Sequence, residues 1–389
     1  MRTHWRLPRG VDELLPPAAW QLELLRRKVL DVFVSWGFEY VEPPVIEYLE
    51  SLLVGSGEDL DLQTLKVVDQ VSGKQLGVRA DMTSQAMRID AHSLITDDVQ
   101  RLCYAGPVVF ANPQIAMTSR VPFKAGAEIF GAHSVEADAE IVGLMLETME
   151  TANIAEPVLL LGHIGIYRGL VEALLQQGVL QHEAEKELFD CVQRKSQSDI
   201  AALLPAGMLS DMMVSLPTLM GDVDVLDAAR EKLSGAPASV QAAIEQLQQL
   251  INLVAPESEG VVRVDVSELS GYGYHNGPVF AVYHPQHGQA LAQGGRYDGV
   301  GGVFGRSRPA TGFDVNLKTL ITHNGEPGVI FAPYVDIAER AALAQAVAAL
   351  RAQGERVRCA LSAAEQPPSG CVSTLRWADG QWHVVTNSD

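Results

Sequence analysis

The chain has 389 residues, which is long enough for more than one hydrophobic core. Of these residues 47% are hydrophobic and 20% charged, a composition that excludes extensive disorder. Its 48 acidic residues outnumber 29 lysines and arginines, and the resulting net charge of -19 repels nucleic acids at long range. Four cysteines without paired spacing predict neither a zinc site nor a redox dithiol. We therefore expect no metal and, because no apolar run could span a bilayer, a cytoplasmic protein.

The first residues predict helices and strands in alternation. Apolar side chains in 20–36 recur at helical spacing, and Gly37 ends this predicted helix. Residues 40–46 hold two adjacent prolines and predict one long, bent strand at a sheet edge or interface, because proline cannot donate a ladder hydrogen bond. Residues 65–79 predict an antiparallel hairpin, and a helix is expected from Ser84.

The middle of the chain predicts a second pair of strands and then a helical region. The strands are expected at 101–111 and 123–131, and the pattern becomes helical from Glu136. An apolar strand is predicted at 157–161, and residues 167–254 are mostly helical in pattern. We interpret this long helical region as an insertion into a sheet.

The last third predicts further strands and a change of unit. Strands return at 261–267 and 279–283, and a helix is predicted to begin near Phe313. Beyond Gly325 the pattern becomes strand, alanine-rich helix at 335–353, and strand again. This order predicts a small second α/β unit.

Several stretches resemble histidyl-tRNA synthetases, which are class II synthetases, in the order of that family and over roughly the first 320 residues. The opening LPRGVDELLPP is similar to the family's start, and residues 38–46 resemble class II motif 1, the strand at the dimer interface. The resemblance implies an α+β fold in which an antiparallel sheet is flanked by helices. It places a synthetase-like domain at 1–323, a helical insertion at about 165–255 and a small C-terminal α/β domain at 324–389. It also implies a homodimer through motif 1.

The segment LGVRADMTSQ resembles the family segment whose acid and threonine hold the α-amino group of the substrate. The resemblance assigns these roles to Asp81 and Thr83 in a histidine-binding site. A carboxylate beside a neutral acceptor suits a bound ammonium, and a charge-assisted hydrogen bond is a strong one. Without the resemblance, either residue would serve equally well as the cap of the following helix.

The segment FKAGAEIFG resembles the strand after motif 2, in which a family glutamate faces the histidine ligand. The matching residue is Glu128, and a carboxylate at the bottom of an apolar pocket can accept a hydrogen bond from an imidazole N–H. The alternative for such a glutamate is an exposed strand position. Four positions earlier the family has glutamine and this chain has Lys124, which alters the expected recognition of the ammonium.

Two glycine-rich stretches complete the predicted site. SGYGYHNGPVF resembles the family's histidine-recognition loop, with Tyr274 and His275 in place of its two tyrosines. QGGRYDGVGGVFG is similar to the run before motif 3, where glycines let the backbone approach a ligand closely, and it adds Tyr297. A packed turn is the alternative for the first stretch, and a glycine run like the second is weak evidence when taken alone.

Three arginines that the family uses for adenylation are missing, since their positions fall at Phe110, Ser270 and Thr319. Activation of a carboxylate by ATP builds up negative charge that cationic groups must stabilise. Because the loss of one pre-organised donor costs about 100-fold to 1000-fold in rate, we predict no catalytic residue and no cofactor. From residue 321 onward there are five arginines, no lysine and seven acids, the opposite of what a tRNA reader needs.

This combination resembles the regulatory subunits of ATP phosphoribosyltransferase, which are paralogues of the synthetase. The resemblance implies a hetero-octamer with the short catalytic subunit, activation of that subunit, and feedback inhibition by histidine in the first step of histidine biosynthesis, without tRNA or membrane. Histidine could occupy the former substrate pocket or an intersubunit site. Two other functions stay open, a synthetase-like amino acid ligase and a tRNA-binding sensor, although the first needs ATP-binding cations and the acidity disfavours the second.

Overall fold

The computed structural model describes residues 6–53, 58–112, 119–257, 261–321, 328–368 and 371–386. By its internal contacts the chain divides into two compact units, Met1–Thr322 and His323–Asp389. The first unit contains two hydrophobic clusters and the second unit one. None of the helices in the described ranges is both long enough and apolar enough to cross a bilayer.

The first unit is built on a large sheet. Its strands in chain order are β1 (Glu39–Tyr40), β2 (Ile46–Tyr48), β3 (Leu65–Val68), β4 (Gln75–Val78), β5 (Gln100–Pro107), β6 (Phe123–Phe130), β7 (Val158–His163), β8 (Met220–Gly221), β9 (Val261–Asp265), β10 (Pro278–Tyr283), β11 (Ala292–Arg296) and β12 (Ala310–Asn316). Nine of them form one sheet in the order β1-β5-β6-β12-β11-β10-β7-β9-β8, and β2-β4-β3 form a separate small sheet. The large sheet is mostly antiparallel, with parallel pairs at β1–β5 and β7–β9.

Helices cover and extend this sheet. They are α1 (Ala18–Ser35), α2 (Leu49–Leu53), α3 (Glu58–Gln63), α4 (Thr83–Arg88), α5 (Val135–Thr151), α6 (Ile164–Gln176), α7 (Glu185–Gln193), α8 (Gln197–Leu203), α9 (Met208–Ser215), α10 (Val225–Lys232), α11 (Ala238–Val254) and α12 (Leu317–Leu320). In α1 the buried residues Leu25, Val29 and Phe33 are four positions apart, so they form one stripe facing the core. The Phe33 ring meets the Phe313 ring of β12 edge-on at 5.8 Å, which fixes this helix against the sheet.

The helices α6 to α11 lie in sequence between β7 and β9, with only the short strand β8 among them. The buried residues of α11 recur at three and four positions, from Val240 and Ile244 to Leu247 and Ile251. This apolar face packs against α6 and α5. The helical segment is therefore joined to the sheet through a continuous core.

The register of three neighbouring strands determines which side chains share one face of the sheet. Glu128 of β6 lies opposite Gly312 of β12 and Leu102 of β5. Because side chains alternate along a strand, Lys124 points to the same face as Glu128, four residues away. Asp314 is likewise two residues from Gly312 on β12. The sheet thus gathers these two acids and the lysine on one face.

The second unit is a small α/β unit with β13 (Val329–Ala332), α13 (Ile337–Ala352), β14 (Arg356–Cys359), β15 (Cys371–Ala378) and β16 (Gln381–Thr386). Its strand order is β14-β13-β15-β16, in which β13 is parallel to both neighbours and β15–β16 is an antiparallel hairpin. The helix buries Leu343 and Val347 against Ile330 and Leu375 of the sheet. The second unit therefore has a hydrophobic core of its own.

Two features of the sequence interpretation are wrong. The helix predicted near Phe313 is the strand β12, which pairs with β6 and β11, and helix appears only from Leu317. The single strand predicted over 40–46 is replaced by two short strands, β1 and β2, in different sheets, separated by the segment that holds both prolines. Proline has no N–H to donate, so the chain leaves one sheet there before it joins the other.

Candidate functional site

A cavity of about 470 Å³ lies on the face of the sheet that carries Lys124 and Asp314. Its wall is formed by Leu60, Gln63, Ala80, Asp81, Thr83, Ser84, Met87, Phe110, Lys124, Phe189, Gln193, Leu269, Ser270, Gly271, Tyr272, Gly273, Tyr274, Gln293, Val300 and Asp314. This volume is in the range of sites for small molecules, and the mixture of apolar walls with a few polar groups is typical of them.

The cavity wall carries three charged side chains, Asp81, Lys124 and Asp314. Lys124 Nζ donates to Asp314 Oδ2 at 2.8 Å. Burial alone would lower the pKa of Lys124, but the carboxylates of Asp314 and Asp81 raise it, so this side chain stays an ammonium. Within the described part of the chain, no hydrogen bond or ion pair engages the carboxylate of Asp81. Asp81 therefore offers a ligand a carboxylate whose oxygens accept no hydrogen bond from the described residues.

Glu128 lies behind the cavity wall and is 1% exposed. Its Oε1 accepts hydrogen bonds from the hydroxyls of Tyr104 at 2.8 Å and Thr83 at 2.9 Å, and its Oε2 accepts from the Tyr297 hydroxyl at 2.6 Å. Burial raises the pKa of Glu128 to about 8, although the three hydroxyl bonds favour the ionised form and oppose that shift. Both oxygens of the carboxyl group are thus hydrogen-bonded inside the protein.

Two glycines make room for this buried cluster. A Cβ on Gly312 would lie 1.6 Å from Glu128 Oε2, and a Cβ on Gly126 would lie 2.6 Å from the ring of Tyr104. Both distances are far below van der Waals contact, so any side chain at either position would displace the cluster. The packing of the buried cluster therefore requires glycine at Gly126 of β6 and at Gly312 of β12.

A loop between β9 and β10 forms another part of the wall. Tyr274 lines the cavity and is 44% exposed, whereas His275 is buried behind it with the two rings 4.1 Å apart. His275 Nδ1 lies 3.2 Å from the carbonyl of Ser270, and burial lowers the pKa of His275 to about 4, so the ring is neutral and donates this bond. Arg168 holds the loop by donating to the carbonyls of Tyr272 and His275 at 3.3 and 3.1 Å.

The structure divides the six predicted histidine-binding residues into two layers. Asp81, Thr83 and Tyr274 line the cavity, whereas Glu128, Tyr297 and His275 lie behind it. Two residues of the cluster were missed by the sequence interpretation, the Tyr104 that donates to the buried carboxyl and the Asp314 that pairs with Lys124. Tyr104 lies in a strand that the sequence predicted, whereas Asp314 lies in β12, where the sequence predicted a helix, so only Tyr104 had a local sequence signal.

The structure shows the surroundings of the three positions at which the synthetase family has its adenylation arginines. Phe110 and Ser270 line the cavity without bringing any charge, and Thr319 lies on α12 with its hydroxyl donating to the carbonyl of Asn316. Among the described wall residues the only cation is Lys124, which is already paired. The described part of the chain also contains no cluster of histidine, cysteine and acidic side chains that could hold a metal ion.

Arg296, from the glycine-rich run before motif 3, has a structural partner. Its Nε lies 3.0 and 3.1 Å from the two carboxylate oxygens of Asp138, which is fully buried, and its Nη1 donates to Asp298 at 3.0 Å. Further bonds reach the carbonyls of Ala132 and Ser134. This guanidinium is therefore used to tie β11 to α5, and it is not among the residues that line the cavity.

The fold is that of known synthetase-like proteins. A solved structure described as an ATP phosphoribosyltransferase regulatory subunit/histidyl-tRNA synthetase from Bacillus halodurans aligns with a TM-score of 0.82 at 24% identity, covering 94% of this chain and 95% of that one. Histidyl-tRNA synthetase from Nostoc sp. PCC 7120 aligns with a TM-score of 0.80 at 17% identity, covering 99% and 97%. A family model described as histidyl-tRNA synthetase matches residues 10–320. Fold and cavity thus define a class II synthetase-like protein.

Sequence relatives make the assignment more specific. A model described as the ATP phosphoribosyltransferase subunit HisZ C-terminal domain matches residues 327–385. The ATP phosphoribosyltransferase regulatory subunit of Ectopseudomonas mendocina is 47% identical, with 98% of both chains covered, and that of Pseudomonas syringae pv. syringae is 48% identical, with 99% of this chain and 96% of the relative covered. The chain belongs to the family of ATP phosphoribosyltransferase regulatory subunits, as the sequence predicted.

Proposed function

We propose that this chain regulates an ATP phosphoribosyltransferase by activating a short catalytic subunit and by making it sensitive to histidine, in the first step of histidine biosynthesis. The observation that carries the proposal is full-length similarity to proteins named as regulatory subunits, including a match to the C-terminal domain model of that family. The assembly proposed for this role is a hetero-octamer of four regulatory and four catalytic subunits. In it the regulatory chains form homodimers through the motif 1 region.

The effector proposed for the cavity is free histidine. Its α-ammonium would lie between the carboxylate of Asp81 and the hydroxyl of Thr83, and its imidazole would lie towards Tyr274. Charge-assisted bonds to an ammonium are the strong kind, and the cavity supplies Asp81, an acid that makes no hydrogen bond or ion pair with the residues the structure describes. His275 and Tyr297 support this wall from behind. The site is therefore proposed to be the former substrate pocket.

The cavity chemistry supports sensing over adenylation. A triphosphate carries several negative charges, while the described wall offers one lysine already paired with Asp314 and two carboxylates. An amino acid needs a single acid for its ammonium, and this wall provides one in Asp81. The net charge of -19 further opposes tRNA as a partner.

Feedback inhibition requires that histidine bind two states of the complex with different affinity. A typical coupling free energy of about 1 to 3 kcal/mol corresponds to a roughly 5-fold to 150-fold change in affinity between those states. Lys124, Asp314 and Glu128 lie on strands of the central sheet, so a ligand held at Asp81 contacts a wall built into the core of the subunit. That connection gives the effector a rigid element through which to bias a partner.

The test is phosphoribosyl transfer from phosphoribosyl pyrophosphate to ATP by a short catalytic subunit, with and without this chain, across a histidine titration. We expect activation by the chain and its reversal by histidine. Asp81→Asn should raise the histidine concentration for half-inhibition about 10-fold to 100-fold, because a hydrogen bond to a charged group contributes about 1.5 to 3 kcal/mol. The exposed Asp211→Asn is the matched control and should not change it. A rate that responds neither to the chain nor to histidine would contradict the proposal.

A further inference from the structure

Two walls of the cavity are held in place in different ways. Lys124 and Asp314 belong to paired strands of the central sheet, so the backbone ladders fix their wall. The opposite wall is the loop between β9 and β10, from which the consecutive residues 269–274 line the cavity. This loop belongs to none of the sheets in the described chain, and a Cβ on Gly273 would meet no other atom within 4 Å. The loop is therefore the wall that can respond to a ligand.

Arg168 of α6 provides the hydrogen bonds that tie the middle of this loop to the rest of the subunit. Its Nη2 donates to the carbonyls of Tyr272 at 3.3 Å and His275 at 3.1 Å. Across the described part of the chain, every other hydrogen bond of residues 269–274 goes to a residue of the loop itself. No carboxylate in the same part forms an ion pair with Arg168, so its guanidinium is used for this loop.

Aromatic rings extend the contact between the loop and the helices. The guanidinium carbon of Arg168 lies 5.2 Å from the centre of the Tyr272 ring. The same ring lies 5.3 Å from that of Tyr167 on α6 and 5.1 Å from that of Phe189 on α7. Ring pairs and cations at these distances attract each other. Because α6 packs against α9 and α11, a displacement of Tyr272 is passed on to several helices.

We propose that Arg168 is a positioning residue that couples the loop to the helices α6 to α11, and that it sets how completely histidine inhibits the complex. This inference rests on the proposed function. A histidine bound between Asp81 and Tyr274 draws the loop towards the sheet, and the forked donor of Arg168 moves α6 with it. Inhibition requires two states that the ligand biases, and the loop with α6 is the element that differs between them.

Arg168 is not among the residues that line the cavity, so its loss leaves the direct contacts of the ligand in place. Methionine keeps much of its length but removes the charge and all donors. Lysine keeps the charge but lacks the planar fork that reaches two carbonyls. Arg194 is the matched control, because it lies in the same helical region, its side chain is 62% exposed and it makes no bond to the loop.

The experiment combines calorimetry of L-histidine binding to the full-length chain with the phosphoribosyl transfer assay in the presence of the short catalytic subunit. In Arg168→Met we expect the dissociation constant of histidine to stay within about 10-fold of wild type, because a hydrogen bond to a charged group that does not touch the ligand is lost. The fraction of the rate that remains at saturating histidine should rise at least about 5-fold, the lower end of typical allosteric coupling. Arg168→Lys should lie between Arg168→Met and wild type, and Arg194→Met should match wild type.

Complete inhibition of Arg168→Met at saturating histidine would overturn the proposal, since a residue that only tightens binding is compensated by more ligand. Loss of histidine binding in the folded variant would also overturn it, as would an equal effect of Arg194→Met. Thermal unfolding shows whether Arg168→Met folds. If it does not, Arg168→Lys decides, and a remaining rate equal to that of wild type would reject the role. A wild-type complex that histidine does not inhibit would instead refute the proposed function on which this role rests.

Discussion

The buried carboxyl group of Glu128 should make the stability of the protein depend on pH. Burial raises its pKa to about 8 in the folded chain, from an ordinary value of about 4.5 in the unfolded one. Between these two values the folded state holds a proton that the unfolded state has released. Stability therefore falls as the pH rises through this window, and the contribution is largest below about pH 4.5 and lost above about pH 8.

The magnitude follows from the two pKa values. Each pH unit inside the window changes the free energy of unfolding by at most about 1.4 kcal/mol. Integrating from pH 5.5 to 7.5, with the upper end already close to the folded pKa, gives a loss of about 2 to 3 kcal/mol. Glu128→Gln cannot titrate, so this component should vanish from the variant while the shape of the side chain is kept.

The assay is urea unfolding followed by circular dichroism at pH 5.5, 6.5 and 7.5, for wild type and Glu128→Gln. The other titratable groups are common to both proteins, so the difference between the two free energies isolates this one carboxyl. We expect that difference to shift against wild type by about 2 to 3 kcal/mol over the range. A difference that stays constant with pH would show that the carboxyl is already ionised in the folded protein, and would refute the reasoning from burial.

Two further predictions concern packing and charge around the same sheet. Gly312→Ala should destabilise the chain by about 3 kcal/mol or more in urea unfolding, because its Cβ would overlap a buried carboxylate oxygen, whereas Gly207→Ala, which has open space, should be nearly neutral. Asp138→Ala should cost about 3 to 5 kcal/mol by leaving the guanidinium of Arg296 buried without its main partner. The exposed pair of Asp227 with Arg230 is the control, and Asp227→Ala should change stability by less than about 1 kcal/mol. Equal losses in Asp138→Ala and Asp227→Ala would contradict the argument from burial.

Regular elements with a clear period were predictable from the sequence. The spacing of Leu25, Val29 and Phe33 is a local property, and so are the apolar runs of the central strands, which is why α1 and β6 fall where the patterns predict them. The segment around Phe313 was not, because its apolar residues and glycines suit a helix start as well as a strand. Its conformation is decided by pairing with β6 and β11, which are distant in sequence.

Of the candidate site, only the residues that lie within a recognisable sequence motif could be predicted. Asp81 and Thr83 sit in a contiguous segment that resembles a known one, so both could be named before their geometry was known. Tyr104 and Asp314 carry no such signal, since each acquires its role from a partner on another strand. The layering of the site, with Glu128 behind Thr83, is likewise a product of strand register and of the space left by Gly312. No one-dimensional pattern contains that information.

The missing arginines and the retained buried cluster have different structural consequences. Phe110 and Ser270 stand on the cavity wall, where the loss of a cation removes a ligand contact without opening the core. Glu128 and its hydroxyl donors hold together β5, β6, the start of α4 and the turn after β11, so they are needed for the wall itself. A protein that no longer adenylates can therefore lose the first set freely, but must keep the second to retain a shaped pocket. That difference explains how a shaped cavity can persist in a chain that lacks the adenylation arginines of the synthetase family.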